Sequence, residues 1–285
     1  MANKSSYSFH ARSARTTMYK NQSIEEKFVQ QKEQKIHESM DPKKALLREA
    51  RDSDTFPNSL PVIFGLDMTG SMEEIPNHII NEGLPKLISL LHERGLTDAA
   101  VMFMGLGDSK CRDRAPLQVS QFESSDEPMD FWLTHVWIEK GGGGNRGESY
   151  SWAWWFAANR VVTDAWEKRK EKGFIFTVGD DNCHGIASGE FDTVLGINHE
   201  SMSAEDLYKA ASEKWNVYHI NLKDRQVSGD SFRAYMGENL LEVRKADEIP
   251  ALMAQIISSH AKTTFKSPVA ATPAESGAVA PKVTL

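Results

Sequence analysis

Three short runs of almost unbroken apolar residues, with a mixed fourth run "WNVYHINL" (215–222), set the strongest limit on how this chain folds: "LPVIFGL" (60–66), "AAVMFMGLGD" (99–108) and "GFIFTVGDD" (173–181). Runs of this length, rich in Val, Ile and Phe and lacking polar alternation, are what strands buried on both faces require. Between them lie stretches of helical period. Ile79, Ile80, Leu84, Leu87, Ile88 and Leu91 recur on one helical face before Gly95. Trp152 to about Lys170 reads as a second helix, Ser203 to Lys214 as a third with a capping pair Ser203 and Asp206, and Asp247 to His260 as a last one. "LQVSQFE" (117–123) and "NLLEV" (239–243) supply two more strands, the former close enough behind the second strand to lie antiparallel at an edge. Strands and helices alternating in this way predict an α/β, doubly wound (Rossmann-like) fold: a mostly parallel six-stranded sheet with one antiparallel edge strand and helices on both faces.

The flanks differ in composition. Residues 1–22 carry Arg and Lys, many Ser and no acidic residue, and read as a flexible basic arm; they lack the apolar core of a secretory signal. Residues 23–59 read as an N-terminal helical extension. Ser23 and Glu26 have capping-box spacing at the start of a helix over about 23–39, and Asp41-Pro42 opens a short helix to about Arg51. The α/β domain is expected over 60–262. Residues 263–285, rich in Ala, Pro, Ser and Thr, read as a disordered tail.

Bulk properties narrow the partners. With 33 basic and 40 acidic side chains the formal charge is −7, which disfavours nucleic acid, since phosphate binding needs a cationic face. No stretch approaches the roughly 18–20 apolar residues of a membrane span. Two cysteines, Cys111 and Cys183, do not make a disulfide framework, and a reducing cytosolic setting is expected.

In an open α/β sheet ligands sit at the carboxyl ends of strands. Three loops carry oxygens there: "GLDMTGSM" (65–72), the glycine-rich "GGGGNRGESYS" (141–151) just before a helix, and Gly179-Asp180-Asp181. If the first loop is extended, Asp67, Thr69 and Ser71 point the same way. Carboxylates with hydroxyls and water form a hard-oxygen set suited to Mg²⁺ or Mn²⁺. The glycine-rich loop lacks the Lys-Ser/Thr ending of a phosphate-binding loop. Cys183-His184 has no second ligand pair at zinc spacing and reads as ordinary loop. Trp152, Trp154 and Trp155 read as helix residues facing the sheet, at least one on the opposite side, with a stacking platform as the minority alternative. Asp108, Lys110, Arg112, Asp113 and Arg114 read as a solvated charged loop.

Over about residues 60–260 the chain resembles the von Willebrand factor type A (VWA) domains. Their metal-ion-dependent adhesion site (MIDAS) combines Asp-x-Ser-x-Ser after the first strand, a Thr in a glycine-rich loop and an Asp in a Thr-Asp-Gly turn after the fourth strand. Asp67, Thr69 and Ser71 match the first element, and Asp180 the third, with Gly179 in place of the Thr and Asp181 in place of the Gly. The middle element departs from the pattern: Glu148 stands at the Thr position, with Ser149 beside it. Direct ligation by Glu148 would give three carboxylates, tighter cation binding and less attraction for an acidic ligand. A water-mediated Glu148, with Ser149 or Asn145 nearer the ion, is the alternative, and Asp181 is a further candidate. The resemblance implies a metal-dependent protein-interaction module, not an enzyme, whose cation is completed by an Asp or Glu of a partner protein. For intracellular bacterial and phage relatives it implies work as an adaptor for a MoxR-type AAA+ ATPase or as an assembly factor. The competing readings are a Mg²⁺-dependent phosphohydrolase using Asp67, Asp180 and Asp181, and a structural component of a larger assembly. The former ranks lower because a second Asp two residues after the first is replaced by Thr69.

Overall fold

Eight strands form, six of them where the sequence places strands: β1 (Arg48–Ala50), β2 (Leu60–Asp67), β3 (Ala99–Leu106), β4 (Leu117–Val119), β5 (Val161–Thr163), β6 (Gly173–Gly179), β7 (Trp215–Leu222) and β8 (Leu240–Val243), β1 and β5 being the two that it does not. The computed structural model describes residues 8–72, 74–141, 145, 147–223 and 232–264. Six strands make one sheet in the order β4-β3-β2-β6-β7-β8, parallel throughout except for the antiparallel β3–β4 edge, as the sequence predicts. Every residue of β2, β3 and β6 is buried. Alternate side chains therefore feed two cores, because successive residues of a strand face opposite ways. Val62, Phe64 and Leu66 pack with the helices that follow β2 and close the fold, through Leu84, Leu87, Met253 and Ile257. Ile63, Met102 and Ile175 pack with Trp152, Trp154 and Phe156 on the other face.

β2 sends its connection toward β3, whereas β6, paired with β2 through Leu66↔Val178, sends its connection toward β7. The chain thus leaves the carboxyl ends of these two neighbours in opposite directions, and a crevice opens between them. Asp67 ends β2 and Asp180 follows β6 directly, so both stand at this point of divergence.

Several expectations need correction. The main reading of the three tryptophans as packed helix residues holds, Trp155 being covered on the outer side of the helix Ser151–Arg160 by Phe191, and only the minority alternative of a stacking platform is removed. That helix stops at Arg160 and does not run on to Lys170. Its β-branched continuation Val161-Val162-Thr163 pairs in parallel with β1, and Asp164–Arg169 forms a separate helix capped by Thr163. β1 in turn replaces the short helix expected over 41–51. Arg48 fixes it by donating to the carbonyls of Ser39, Val119 and Ser120, and Arg51 pairs with Asp164 and Glu167.

The segment expected as one helix over 23–39 begins with the Ser23–Glu26 capping box, but Phe28 turns extended and divides it into Ile24–Lys27 and Val29–Glu33. Phe28 and Met40 then insert into the core, and the Gln31 amide both donates to and accepts from the backbone of Ile138 at 2.9 Å. The extension lies on its own α/β domain.

Phe9–Lys20, read from sequence as part of a mobile arm, is a helix. Two of its cations are paired with the domain: Arg12, which is buried, with Asp130 at 2.6 Å, and Arg15 with Asp126, while the Tyr19 hydroxyl donates to Asp130 at 2.7 Å. Both aspartates lie on the helix Asp126–Thr134, an element without a sequence assignment, as is Ser188–Leu195. In the helix that follows β2, Pro85 has no N–H for the carbonyl of Asn81; the stretch Ile79–Gly83 widens to a π turn, and the Thr16 hydroxyl of the first helix donates to that carbonyl at 3.2 Å. The last helix, Ile249–Thr264, takes in the first two residues of the tail expected over 263–285; the rest of that tail, like residues 1–7 of the arm, lies outside the described residues. Among the described residues no helix is long and apolar enough to cross a membrane.

Candidate functional site

Residues after Asp67 do not continue as an extended strand. The Asp67 carboxylate takes the backbone N–H of Thr69 on Oδ1 at 2.8 Å, which bends the chain into the single 3₁₀ turn Gly70–Met72. Gly70 lets this turn press against the next loop: its N–H donates to the Gly141 carbonyl at 2.8 Å, and a Cβ there would lie 3.1 Å from the Lys140 oxygen. The oxygens converge all the same. Thr69 Oγ1 lies 2.6 Å from Asp67 Oδ1, Ser71 Oγ 3.2 Å from Thr69 Oγ1, and Asp180 Oδ1 3.1 Å from Ser71 Oγ. One chain of four oxygens thus crosses the crevice from the end of β2 to the loop after β6.

The protons on this chain do not suffice for its contacts. A hydroxyl has one hydrogen and an ionised carboxylate has none. With both aspartates ionised, the hydrogens of Thr69 and Ser71 serve two of the three oxygen–oxygen contacts, and the third brings lone pairs together. A proton or a cation placed among these oxygens would offset that crowding. The electrostatics agree. Burial, then the charge of Asp180, pushes the Asp67 carboxyl up to about 7, against the opposing hydrogen bonds from Thr69 and Tyr150.

Glu148 is tied to the loop after β6 by two backbone bonds, its N–H to the Asn182 carbonyl (2.8 Å) and its carbonyl to the His184 N–H (2.9 Å). Its side chain is buried, the residue being 5% exposed, and Oε2 has no hydrogen-bond partner among the described residues. Burial raises its carboxyl to about 10, followed by the charges of Asp67, Asp108, Asp113 and Asp180.

Ser149 and Asn145 turn elsewhere. The Ser149 hydroxyl lies 3.2 Å from Asp108 Oδ1, and the Asn145 amide donates to Asp108 Oδ2. They are therefore not gathered with Asp67 and Asp180. Asp181 accepts the Asn182 N–H at 2.7 Å. Residues 142–144 and 146 of the glycine-rich loop lie outside the described residues. Among the described residues no three His, Cys, Asp or Glu side chains cluster as a cation site by themselves, so any ion between Asp67 and Asp180 depends on the hydroxyls as well.

Two residues at this crest were not legible as site residues. Asp108, expected in a solvated loop, is fully buried, holding Ser149, Asn145 and the Lys110 N–H. A signal existed: "MGLGD" ends β3 much as "FGLD" ends β2. The other is Tyr150, whose hydroxyl donates to Asp67 Oδ2 at 2.8 Å and accepts from the N–H groups of Asp180 (3.3 Å) and Asp181 (3.4 Å). A side chain at Gly179 would overlap this phenol, so glycine there is what admits the ring. Cys183 and His184 are loop residues, the ring of His184 packing over Gly147.

No family model matches the chain, and no curated protein sequence does. Solved structures do match. The open form of the pilus adhesin SpaC from Lactobacillus rhamnosus GG has a TM-score of 0.50 at 10% identity, covering 76% of this chain and 31% of the adhesin. What is shared is the fold. The chain spans under a third of that adhesin's length. An aerotolerance-related membrane protein from Bacteroides fragilis NCTC 9343 (TM-score 0.42, 15% identity, 70% of this chain and all of that one) and proximal thread matrix protein 1 from the mussel byssus (0.44, 9%, 71% and 48%) also match.

Proposed function

We propose that this protein is a VWA-type interaction module that holds Mg²⁺ or Mn²⁺ through Asp67, Thr69, Ser71 and Asp180 and captures a partner protein by an Asp or Glu side chain. The observation that carries this reading is the chain of four oxygens across the β2/β6 crevice, with a carboxylate at each end and two hydroxyls between. The donor set suits a hard cation: two carboxylates, two hydroxyls and no thiolate or imidazole. The buried Glu148, whose Oε2 has no hydrogen-bond partner among the described residues, is a third carboxyl that a nearby cation would help to ionise. Held by these residues, an ion would supply the positive charge that attracts an outside carboxylate. Thr69 and Ser71 present lone pairs once their hydrogens go to Asp67 and Asp180. Glu148 tempers the charge presented to the partner and so favours reversible capture. The module binds and releases without turnover, in the cytoplasm, and the partner class that fits the resemblance is a MoxR-type AAA+ ATPase, with an assembly role as the wider form of the same reading.

The test is affinity capture from lysate on the immobilised full chain with Mg²⁺, with EDTA, and with Asp67→Ala in Mg²⁺. The same partner band is expected with Mg²⁺ and to fall at least about tenfold in the other two, as loss of a charge-assisted contact implies. Capture that persists in EDTA contradicts the proposal.

A further inference from the structure

The buried phenol of Tyr150 spans the site without belonging to the expected ligand set. We infer that Tyr150 is the positioning residue of this centre, its hydroxyl locking Asp67 to the Asp180–Asp181 turn so that both carboxylates meet one divalent cation; this rests on the metal reading proposed above.

The geometry supports a directed role. A phenol has one hydrogen to donate and two lone pairs to accept with, and here all three are used: Asp67 Oδ2 takes the hydrogen, and the Asp180 and Asp181 N–H groups approach the oxygen. Tyr150 therefore joins β2 to the turn after β6 at a point where the sheet itself has stopped pairing them, the last β2–β6 register pair being Leu66↔Val178. The ring has no freedom to leave. It is fully buried, tilted against His219 at 4.7 Å and stacked on Phe232 at 6.2 Å. His219 is in turn held by Thr177 Oγ1 at 2.8 Å and Asn221 Oδ1 at 3.0 Å, and lies on Phe232 at 4.3 Å. With Oδ2 of Asp67 engaged by Tyr150, Oδ1 is left for Thr69, and this fixes which way the Thr69 hydroxyl turns. Groups that orient ligands in this manner tune metal affinity nearly as much as the ligands do. Tyr150 also sits immediately before the helix Ser151–Arg160, so a rigid element carries it.

The experiment measures Mn²⁺ affinity of the full chain by the electron paramagnetic resonance signal of the unbound ion, at a temperature where every variant is folded. Wild type, Tyr150→Phe and Phe232→Leu are compared. Tyr150→Phe keeps the ring and removes the hydroxyl; Phe232→Leu loosens the ring's packing and leaves the hydroxyl. The expected result is binding about 10-fold weaker in Tyr150→Phe and near wild type in Phe232→Leu. Equal affinity in wild type and Tyr150→Phe overturns the inference while the metal reading stands. Equal losses in both variants also overturn it, since packing alone then explains them. Wild type that takes up no Mn²⁺ removes the metal reading and this inference with it. Should Tyr150→Phe fail to fold, unaltered protein carrying ¹³C at tyrosine Cζ answers the same question: Mg²⁺ must shift the Tyr150 resonance, and an unmoved resonance in protein that binds Mg²⁺ refutes its role.

Discussion

Saturating Mg²⁺ or Mn²⁺ is expected to raise the thermal unfolding midpoint of the wild-type chain by roughly 5–10 °C at pH 8, by much less at pH 5, and hardly at all in Asp67→Asn. A ligand at about 100 times its dissociation constant stabilises the folded state by about 2.7 kcal/mol, and in a domain of this size each kcal/mol moves the midpoint by roughly 2–4 °C. The pH dependence follows from the buried carboxyls. Without a cation, Asp67 titrates near 7 in the folded chain against an ordinary value of 3.8, because burial and the charge of Asp180 both oppose ionisation. The folded state therefore binds this proton more tightly than the unfolded chain. The stability it contributes is complete below about pH 4 and is lost as pH rises through 7. Glu148, raised to about 10 by burial and its acidic neighbours, prolongs the loss into the alkaline range. Cation and proton compete for the same oxygens, so cation-induced stabilisation grows over the window in which cation-free stability declines. Differential scanning fluorimetry from pH 5 to 8, with and without the ion, reads both trends. Parallel curves for wild type and Asp67→Asn would contradict them.

Trp154→Ala is expected to lower the midpoint by roughly 10 °C or more. Its indole is fully buried, edge-on to Tyr208 at 5.9 Å and to Phe232 at 6.4 Å, in the core that covers one face of the sheet. Truncating such a side chain removes its burial and leaves a cavity, together about 3–5 kcal/mol. An exposed stacking tryptophan would behave otherwise, since surface substitutions usually stay within about 0.5 kcal/mol. Denaturant or thermal unfolding distinguishes the two, and a midpoint within a degree or two of wild type would refute the core assignment.

The sheet was legible because strands buried on both faces must be mainly apolar, as β2, β3 and β6 are; β7 is less so, and its buried His219 and Asn221 are hydrogen-bonded to each other. Asp67, Thr69, Ser71 and Asp180 were legible because strand ends in such a sheet have few places to go; their convergence runs through an Asp67-capped turn instead of an extended segment. What escaped sequence reading depends on partners far away in the chain. Arg12, Arg15 and Tyr19 look like a solvated arm until Asp126 and Asp130 arrive from more than a hundred residues on. Arg48–Ala50 has no strand signature and becomes one by pairing with Val161–Thr163. Tyr150 adjoins a tryptophan-rich helix that reads as core, and its polar end acquires meaning only because Gly179 leaves room for it.

The central claim is that the oxygens of Asp67, Thr69, Ser71 and Asp180 form the cradle of one divalent ion. Crystals grown near pH 8 and soaked in Mn²⁺ test it most directly, by anomalous diffraction. The account predicts one strong peak enclosed by these four side chains. Full soaking that leaves this position without anomalous signal, or that puts the protein's principal Mn²⁺ peak elsewhere, would contradict it.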